Sequence, residues 1–326
     1  MAEREILTPI PAVVGPTASG KKALAISLAA RLGGEIISCD SMQIYRDMDI
    51  GTAKPNAAER AAVPHHLIDF VSPGEPYSAS DYAKDALATV RDILARGRLP
   101  IFCGGTGLYL STVIRGGEDA AIPGETAHRA RLEEIGATEG GADALYAELC
   151  EKDPASAAAT HKNNLRRVIR ALEVFYATGV PKSEWDRRSR EKPPTLRVIP
   201  FMIDRPRDAL YARIEARVDE MLAEGLLDEV RRLYAAGLLS PNTTAGQAIG
   251  YKEFAAYLRG ETNYETAVAD LKTATRRYAK RQLTWFSADP CLIRLSALTA
   301  DGRPRTAEEL VEEAIAVYRS KCENNF

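Results

Sequence analysis

The stretch VVGPTASGKKALAIS, residues 13–27, decides the fold of the first part of this chain. Gly15, Gly20 and Lys21 satisfy the pattern G-x-x-x-x-G-K, directly after an apolar run and at the start of a helical pattern. Glycines there let backbone N–H groups face a phosphate, the helix N-terminus adds a favourable partial charge, and the lysine adds a point charge. The stretch predicts a phosphate-binding loop. Its ligand-facing residues would be Gly15, Pro16, Thr17, Ala18, Ser19, Gly20, Lys21 and Lys22.

Lys22 departs from the usual loop, which carries serine or threonine after the lysine. That hydroxyl normally binds Mg²⁺, and an ammonium group cannot ligate a cation. Two arrangements fit the sequence. Either the metal is held by the substrate's phosphates, by water and by a carboxylate such as Asp40, or Lys22 points away and the hydroxyl of Ser19 or Thr17 contributes. We expect Mg²⁺ as a cofactor but assign no protein ligand to it.

Short apolar runs alternate with helical patterns over the first hundred residues. The runs read as buried strands and the segments between them as helices. The predicted strands are 10–15, 35–40, 65–70 and 99–105, and the predicted helices are 21–32 and 78–97. Strands alternating with helices indicate an α/β fold, here a phosphate-loop core with a parallel β-sheet.

The pattern changes after residue 122. Residues 123–194 carry Ala, Glu and Arg at helical spacing without a strand-like run, which predicts a helical insertion. Residues 195–326 then return to the core through a strand at 196–204 and continue as helices. The predicted helices are 207–224, 226–236, 246–259, 264–286 and 306–320, and 187–195 is predicted to be a loop.

Composition narrows the class of protein. The chain has 326 residues, 45% hydrophobic and 27% charged, which is typical of a globular protein. Met1 to Thr8 lack a signal-peptide pattern and no later run has the length of a membrane span, so we expect a cytoplasmic protein without a membrane partner. Five scattered cysteines indicate neither a disulfide framework nor a zinc site. A net charge of −2 argues against a uniformly basic nucleic-acid surface but leaves local patches open.

Asp40 follows the second predicted strand, at the edge where open α/β sheets bind ligands. Such an aspartate is either a cap or loop residue, or a general base. A phosphate loop most often binds ATP or GTP, so a small-molecule kinase is one alternative. A kinase of this type needs a carboxylate after an apolar strand to organise magnesium, yet strand 99–105 leads into Gly104, Gly105 and Thr106.

Eight segments, in order along the chain, resemble the tRNA dimethylallyltransferase family, also called tRNA isopentenyltransferases. They cover the chain from about Ile10 to Phe286. The segments are GPTASGK (15–21), ISCDSMQIYRDMDIGTAKP (37–55), PHHLIDFVSPGEPYSASDYAKDA (64–86), GGTGLYL (104–110), RRVIRALEVFYATG (166–179), LYARIEARVDEMLAEGLLDEV (210–230), QAIGYKEF (247–254) and RRYAKRQLTWF (276–286).

The resemblance implies transfer of a dimethylallyl group from dimethylallyl diphosphate to N6 of adenine 37 in the tRNA anticodon loop. The phosphate loop would then hold the diphosphate leaving group. By the same resemblance Asp40 accepts the proton of the adenine amino group, Thr106 lies close by, and both contact the tRNA. By analogy with the family, the expected substrates are tRNAs with adenines at positions 36, 37 and 38.

The resemblance also implies which residues touch tRNA. Residues 40–43 would lie against a flipped nucleotide. Arginines four or three positions apart form one basic helix face, which suits RNA but also fits an ordinary solvated surface. The residues implied to contact tRNA are Asp40, Ser41, Met42, Gln43, Thr106, Arg129, Arg166, Arg167 and Arg170.

Residues 271–286 are the strongest basic segment, with no acidic residue in sixteen positions. Lys272, Arg276 and Lys280 recur every four residues, which favours a role toward diphosphate or RNA. Trp285 and Phe286 are expected in the core. The predicted diphosphate contacts outside the loop are Arg217, Arg276, Lys280 and Arg281.

Three alternatives to this function remain open from sequence, including the kinase named above. An adenylate isopentenyltransferase would use the same donor and a free nucleotide, a kinase would bind ATP and ignore RNA, and a non-enzymatic RNA-binding protein would leave Asp40 and the loop without a role. The helical insertion and the basic helix favour tRNA as the acceptor. We expect the protein to act as a monomer.

Overall fold

The computed structural model describes residues 6–116 and 127–323, which form two compact units. The first unit comprises Met1–Tyr77, Lys84–Ser111 and Leu196–Phe326, and the second comprises Ser78–Ala83 and Thr112–Thr195. The boundary predicted between residues 122 and 123 lies outside the described residues.

A six-stranded, entirely parallel sheet forms the centre of the first unit, as predicted for an α/β fold. The strands are β1 (Ile6–Val14), β2 (Gly34–Ser38), β3 (His65–His66), β4 (Leu99–Gly104), β5 (Leu196–Asp204) and β6 (Ile293–Ser296). Their order is β3-β2-β4-β1-β5-β6. Because β4 lies between β1 and β2, the loops that follow these three strands meet at one edge of the sheet.

Helices cover the sheet and extend the first unit. They are α1 (Lys21–Leu32), α2 (Ala57–Ala62), α10 (Arg207–Ala223), α11 (Leu226–Ala235), α12 (Tyr251–Leu258), α13 (Tyr264–Ser287) and α14 (Ala307–Glu323). Two helices, α3 (Ala79–Ala95) and α4 (Gly107–Ile114), have residues in both units. One core cluster packs α1 and α14 against the sheet, and another joins residues 44–71 to α10–α13.

The second unit is helical. Its helices are α5 (Ala127–Gly136), α6 (Gly141–Lys152), α7 (Pro154–Ala158), α8 (Leu165–Thr178) and α9 (Lys182–Glu191). Leu132, Leu145, Leu149 and Leu172 form its core. Asp153 begins α7 by accepting a hydrogen bond from the Ser156 N–H, and its carboxylate also accepts from Ser183, which fixes the start of α9.

Several predicted elements were wrong in detail. The strand predicted at 65–70 is only two residues long, because Leu67 and Asp69 adopt left-handed backbone angles that no strand tolerates. The loop predicted at 187–195 is helical up to Glu191, where Arg187 and Arg188 pair with Glu184 one turn away.

In the C-terminal part, strand β6 was missed and α12 begins at Tyr251 rather than 246. Gly250 has φ 94, outside the right-handed helical region, so the helix starts after it. Phe286 is in the core as expected, but Trp285 is 50% exposed. Neighbouring residues on a helix point about 100° apart, so Phe286 faces inward and Trp285 does not.

Candidate active site

A cavity of about 590 Å³ lies at the edge of the sheet where β1, β2 and β4 end. The phosphate loop, residues 40–43 and residues 51–55 line one part of it, and α10, residues 247–252 and α13 line the rest. All of these segments belong to the first unit. The cavity therefore brings the predicted phosphate loop and Asp40 to one site.

The backbone of the phosphate loop is held by its carbonyl groups. Lys21 Nζ donates to the Pro16 carbonyl over 3.2 Å, Arg213 Nε to that of Ala18 over 2.9 Å, and Arg205 Nε to that of Ser19 over 2.8 Å. These carbonyl oxygens already accept hydrogen bonds, which weakens the partial negative charge they would offer an incoming anion. The loop is thus arranged for an anion.

Burial sets the charge state of the groups around Lys21. It lowers the pKa of Lys21, while the negative charge of Asp40 acts in the opposite direction. Burial also raises the pKa of the Cys103 thiol to about 11, so this cysteine is a neutral neighbour at ordinary pH. A lysine whose pKa is lowered by burial inside a cavity is typical of a functional site.

Lys22 lines the cavity but its ammonium group lies 2.8 Å from Glu59 Oε2. This favours the arrangement in which Lys22 points away from the metal. Thr17 and Asp40 line the cavity, and the buried Ser19 hydroxyl has no hydrogen-bond partner in 6–116 or 127–323. No cluster of three metal-ligating side chains exists among the described residues. One or two protein oxygens, with phosphate and water, fit the coordination habit of Mg²⁺.

Asp40 and Thr106 follow the neighbouring strands β2 and β4. Asp40 lines the cavity, and its Oδ1 accepts a hydrogen bond from the Met42 N–H over 2.9 Å. Thr106 Oγ1 accepts from the Ser41 N–H over 3.0 Å and donates to Ser41 Oγ over 3.2 Å. Thr106 does not line the cavity. It holds the segment that begins with Asp40, so the two residues are joined through Ser41.

Tyr278 of α13 completes this side of the cavity. Burial raises the pKa of its hydroxyl, Asp40 acts in the same direction, and a hydrogen bond with Thr106 opposes both. Tyr278 therefore stays a neutral hydroxyl beside the carboxylate. Nothing in the sequence pointed to Tyr278 beyond its place in the basic segment.

A buried carboxylate holds the far end of the segment that starts at Asp40. Glu229 of α11, 2% exposed, accepts hydrogen bonds from the N–H groups of Asp49, Ile50 and Gly51 over 3.0, 2.9 and 3.1 Å. It also accepts from the Tyr251 hydroxyl over 2.6 Å. Because Gly51 and residues 247–252 line the cavity, Glu229 holds two of its walls together.

The basic residues of helix α13 fall into two consecutive stretches that differ in their partners. Lys272 and Arg276 are paired with Asp219 and Glu215 of α10 over 2.7 and 2.6 Å. Lys280 and Arg281 have no acidic partner in the described part of the chain, and Arg281 lines the cavity. The period-four pattern thus combined two residues neutralised by α10, Lys272 and Arg276, with one that has no acidic partner among the described residues, Lys280.

The predicted diphosphate contacts outside the loop are therefore only partly brought together. Arg217 and Arg281 line the cavity, whereas Arg276 and Lys280 do not. Arg217 also pairs with Glu220 and Glu224. Arg213, which lies one helical turn before Arg217, was not predicted, and neither was Arg205, which carried no motif signal. Gln247 and Lys252 line the cavity and lie in the resembling segment 247–254, but no role was predicted for either.

In the second unit, two of the predicted tRNA contacts surround one buried carboxylate. Glu173 is fully buried, and its Oε2 lies 2.8 Å from Arg170 and 3.6 Å from Arg129. Arg166 and Arg167 are exposed on the same helix, α8. Arg129 and Arg170 thus carry a structural task whether or not they bind RNA.

Comparison with known proteins gives consistent matches. A family model described as IPP transferase matches residues 43–289, and one described as isopentenyl transferase matches residues 8–69. The tRNA dimethylallyltransferase of Syntrophobacter fumaroxidans is 49% identical over 282 residues, 86% of this chain and 82% of that protein. The tRNA dimethylallyltransferase of a Roseiflexus strain is 48% identical over 313 residues, 96% of this chain and 98% of that protein.

Solved structures agree. The tRNA isopentenylpyrophosphate transferase from Bacillus halodurans has a TM-score of 0.68 and 40% identity, covering 98% of this chain and 99% of its own. A eukaryotic dimethylallyltransferase acting on tRNA has a TM-score of 0.82 and 29% identity, covering 97% of this chain and 80% of its own. Within the described residues, no helix combines the length and apolar character needed to cross a membrane.

Proposed function

Since this chain belongs to the tRNA dimethylallyltransferase family, we propose that it transfers a dimethylallyl group from dimethylallyl diphosphate to N6 of adenine 37 in a tRNA anticodon loop. The observation that carries the proposal is that the phosphate loop and Asp40 line the same cavity of about 590 Å³. Two carbonyl groups of that loop are already hydrogen-bonded to Arg205 and Arg213. The phosphate loop suits a leaving diphosphate, and Asp40 suits the role of proton acceptor.

The reaction breaks the bond between the allylic carbon and the diphosphate oxygen, and forms a bond from that carbon to adenine N6. An allylic carbon stabilises positive charge, so catalysis requires neutralising the departing diphosphate and aligning the nucleophile. The positive potential comes from Lys21, Arg217 and Arg281 and from the N–H groups of Ala18, Gly20, Lys21 and Lys22. The electron pair of the broken bond leaves with the diphosphate.

Asp40 takes the proton from N6 as the new bond forms. Adenine's amino group is barely basic, so a carboxylate within hydrogen-bond reach helps chiefly in the transition state. The Met42 N–H fixes one carboxylate oxygen, which leaves the other for the substrate. Thr106 positions Ser41, next to Asp40, and the neutral Tyr278 hydroxyl adds a hydrogen-bond donor on the same side.

Magnesium would fit this site through the hydroxyl of Thr17 or Ser19 together with the substrate's phosphates and water. When bound, it neutralises charge on the diphosphate oxygens. Lys22, engaged by Glu59, would add positive potential without competing for the metal.

The acceptor base must leave its stack to reach a cavity at the end of a sheet. Residues 40–43 line that cavity and are proposed to contact the flipped nucleotide. Arg129, Arg166, Arg167 and Arg170 of the helical unit are proposed to contact the tRNA backbone, with the exposed Arg166 and Arg167 contributing most of the salt dependence. Adenines at positions 36, 37 and 38 are the expected sequence, and the proposed active species is a monomer.

The test is to incubate the purified protein with dimethylallyl diphosphate, Mg²⁺ and unmodified tRNA, with AMP and ATP in parallel, and to follow prenyl transfer by mass. The proposal expects a gain of one dimethylallyl group on tRNA, mapped to adenine 37 by nuclease digestion. A gain on AMP alone would replace the acceptor. No gain on any acceptor together with tight ATP binding would contradict the proposed reaction.

A further inference from the structure

Gln282 is a buried side chain that touches two loops far apart in sequence. It lies on α13 and is 4% exposed. Its Oε1 accepts a hydrogen bond from the Thr17 N–H over 3.0 Å, and its Nε2 donates to the Gly105 carbonyl over 2.9 Å. One amide group therefore joins the phosphate loop to the loop that leads into Thr106.

The contact at Thr17 reduces the number of backbone N–H groups with which the phosphate loop can bind a ligand. Pro16 has no N–H group, and that of Thr17 is already bonded to Gln282. The first two positions after Gly15 therefore act as an anchor. The Ser19 N–H donates to the Pro16 carbonyl over 3.4 Å, so the N–H groups of Ala18, Gly20, Lys21 and Lys22 are the ones that face a ligand. Gln282 supports the loop through a donor, while Arg213 and Arg205 support it through carbonyls.

The contact at Gly105 leaves no room for a larger residue. A Cβ atom at position 105 would lie 2.0 Å from Gln282 Nε2, far inside contact distance. The next residue, Thr106, holds Ser41 and thereby the segment beginning at Asp40. A chain of hydrogen bonds thus runs from Thr17 through Gln282 and the Gly105 loop to the Asp40 side.

From these contacts we infer that Gln282 is a positioning residue that sets the distance between the phosphate loop and the Asp40 side of the cavity. The inference rests on the proposed function, in which the first loop holds the leaving group and Asp40 serves the nucleophile. Reactions of this kind lose about 100-fold in rate when reacting groups are displaced by about 1 Å. Gln282 acts through Thr17 and Gly105 and is assigned no bond to either substrate.

The test uses two variants of the full-length protein. Gln282→Met keeps the size of the side chain and removes both hydrogen bonds. Gln282→Glu keeps the acceptor toward Thr17 and, when ionised, places a carboxylate oxygen against the Gly105 carbonyl. When protonated, the glutamic acid can accept from Thr17 and donate to Gly105, as glutamine does. Thr284→Ala, two residues further on the same helix and exposed, is the matched control.

Three readouts are expected to agree. In Gln282→Met, kcat at saturating donor and tRNA falls about 10- to 100-fold while KM for each changes less than about threefold. Hydrogen exchange at the Thr17 amide of the protein alone accelerates. For Gln282→Glu, the ratio of its kcat to that of the wild type rises as pH falls, because protonation restores the donor. Lys21, Asp40, Tyr278 and Arg281 line the cavity beside it and are present in both proteins, so the ratio reports the change made at position 282.

The opposite results would overturn the inference: a kcat within about threefold of wild type in Gln282→Met, an unchanged exchange rate at Thr17, or a pH-independent ratio for Gln282→Glu. If Gln282→Met does not fold by circular dichroism, the pH ratio of Gln282→Glu decides. Transfer by the wild-type protein tests the proposed function separately, and the exchange rates decide whether this connection exists even if the acceptor is not tRNA.

Discussion

The two loops that line the cavity are held in opposite ways. The phosphate loop is fixed mainly at its carbonyls by Arg205 and Arg213, whereas residues 49–51 are fixed at their N–H groups by the carboxylate of Glu229. The first arrangement leaves amides available to an anion, and the second consumes them. Under the proposed function, the polarity of the supporting side chains assigns the diphosphate to the phosphate loop and the acceptor to the wall formed by residues 49–51.

The largest effect is expected at Asp40, the proposed acceptor of the proton from adenine N6. Asp40→Asn keeps an oxygen for the Met42 N–H but cannot accept a proton, so kcat should fall about 10²- to 10⁴-fold with tRNA affinity retained. Single-turnover prenyl transfer and filter binding measure the two quantities. Asp47→Asn is the control, since Asp47 is exposed in the same segment and its left-handed backbone suits asparagine. A normal kcat in Asp40→Asn would remove Asp40 from the mechanism.

The next effect is expected at the phosphate loop. Arg213→Ala frees the Ala18 carbonyl, which can then turn toward the diphosphate, so KM for dimethylallyl diphosphate should rise about tenfold or more while KM for tRNA stays constant. Steady-state kinetics with each substrate varied in turn measures the split. Arg231→Ala, which removes only an exposed pair with Asp228, should leave both constants unchanged. An equal rise in both KM values would contradict the division of the cavity.

The opposite change in the two KM values is expected at the cavity wall that Glu229 holds. Glu229→Gln places an amide group among donors, leaves at least one buried N–H group unpaired, and should cost about 1 to 3 kcal/mol of unfolding free energy. KM for tRNA should rise severalfold with KM for the donor little changed. Urea unfolding and steady-state kinetics test both. Glu265→Gln, at an exposed position of α13, is the control; a donor-specific defect in Glu229→Gln would break the comparison.

The smallest effect concerns Lys22. Lys22→Thr restores the usual hydroxyl, so half-maximal activity should need a few-fold less Mg²⁺. Loss of the half-exposed pair with Glu59 should cost less than about 1 kcal/mol. Glu59→Gln frees Lys22 without adding a hydroxyl and separates the two causes. An unchanged Mg²⁺ titration in Lys22→Thr would show that position 22 does not influence the metal.

Local signals predicted much of the fold. The loop of residues 15–22, the apolar strands and strand 196–204 were readable because a parallel strand buried on both faces is a continuous apolar run. Strand β6 was missed because it has four residues and alternates between exposed and buried positions at the sheet edge. The position of Trp285 depends on which face of α13 packs inward, which spacing alone did not determine.

The residues of the candidate site also differ in whether a local sequence pattern could predict them. Asp40 and the loop lysine carry motif signals, so sequence identified them. Gln282, Glu229 and Arg205 act through contacts across roughly 180 or more residues of sequence, which no local pattern encodes. The basic pattern of 271–286 was informative about charge, but the acids that neutralise Lys272 and Arg276 come from α10 and became visible only in the fold.

The central claim is that one cavity holds an anion at the phosphate loop and a nucleotide at the 40–53 segment. Hydrogen exchange measured with inorganic pyrophosphate and Mg²⁺, and then with an anticodon stem–loop RNA added, tests it most directly. The account predicts that pyrophosphate slows exchange in residues 18–22 and leaves 40–53 unchanged, and that the RNA then slows exchange in 40–53. Protection of 40–53 by pyrophosphate alone, or protection of 18–22 by the RNA in the absence of pyrophosphate, would contradict it.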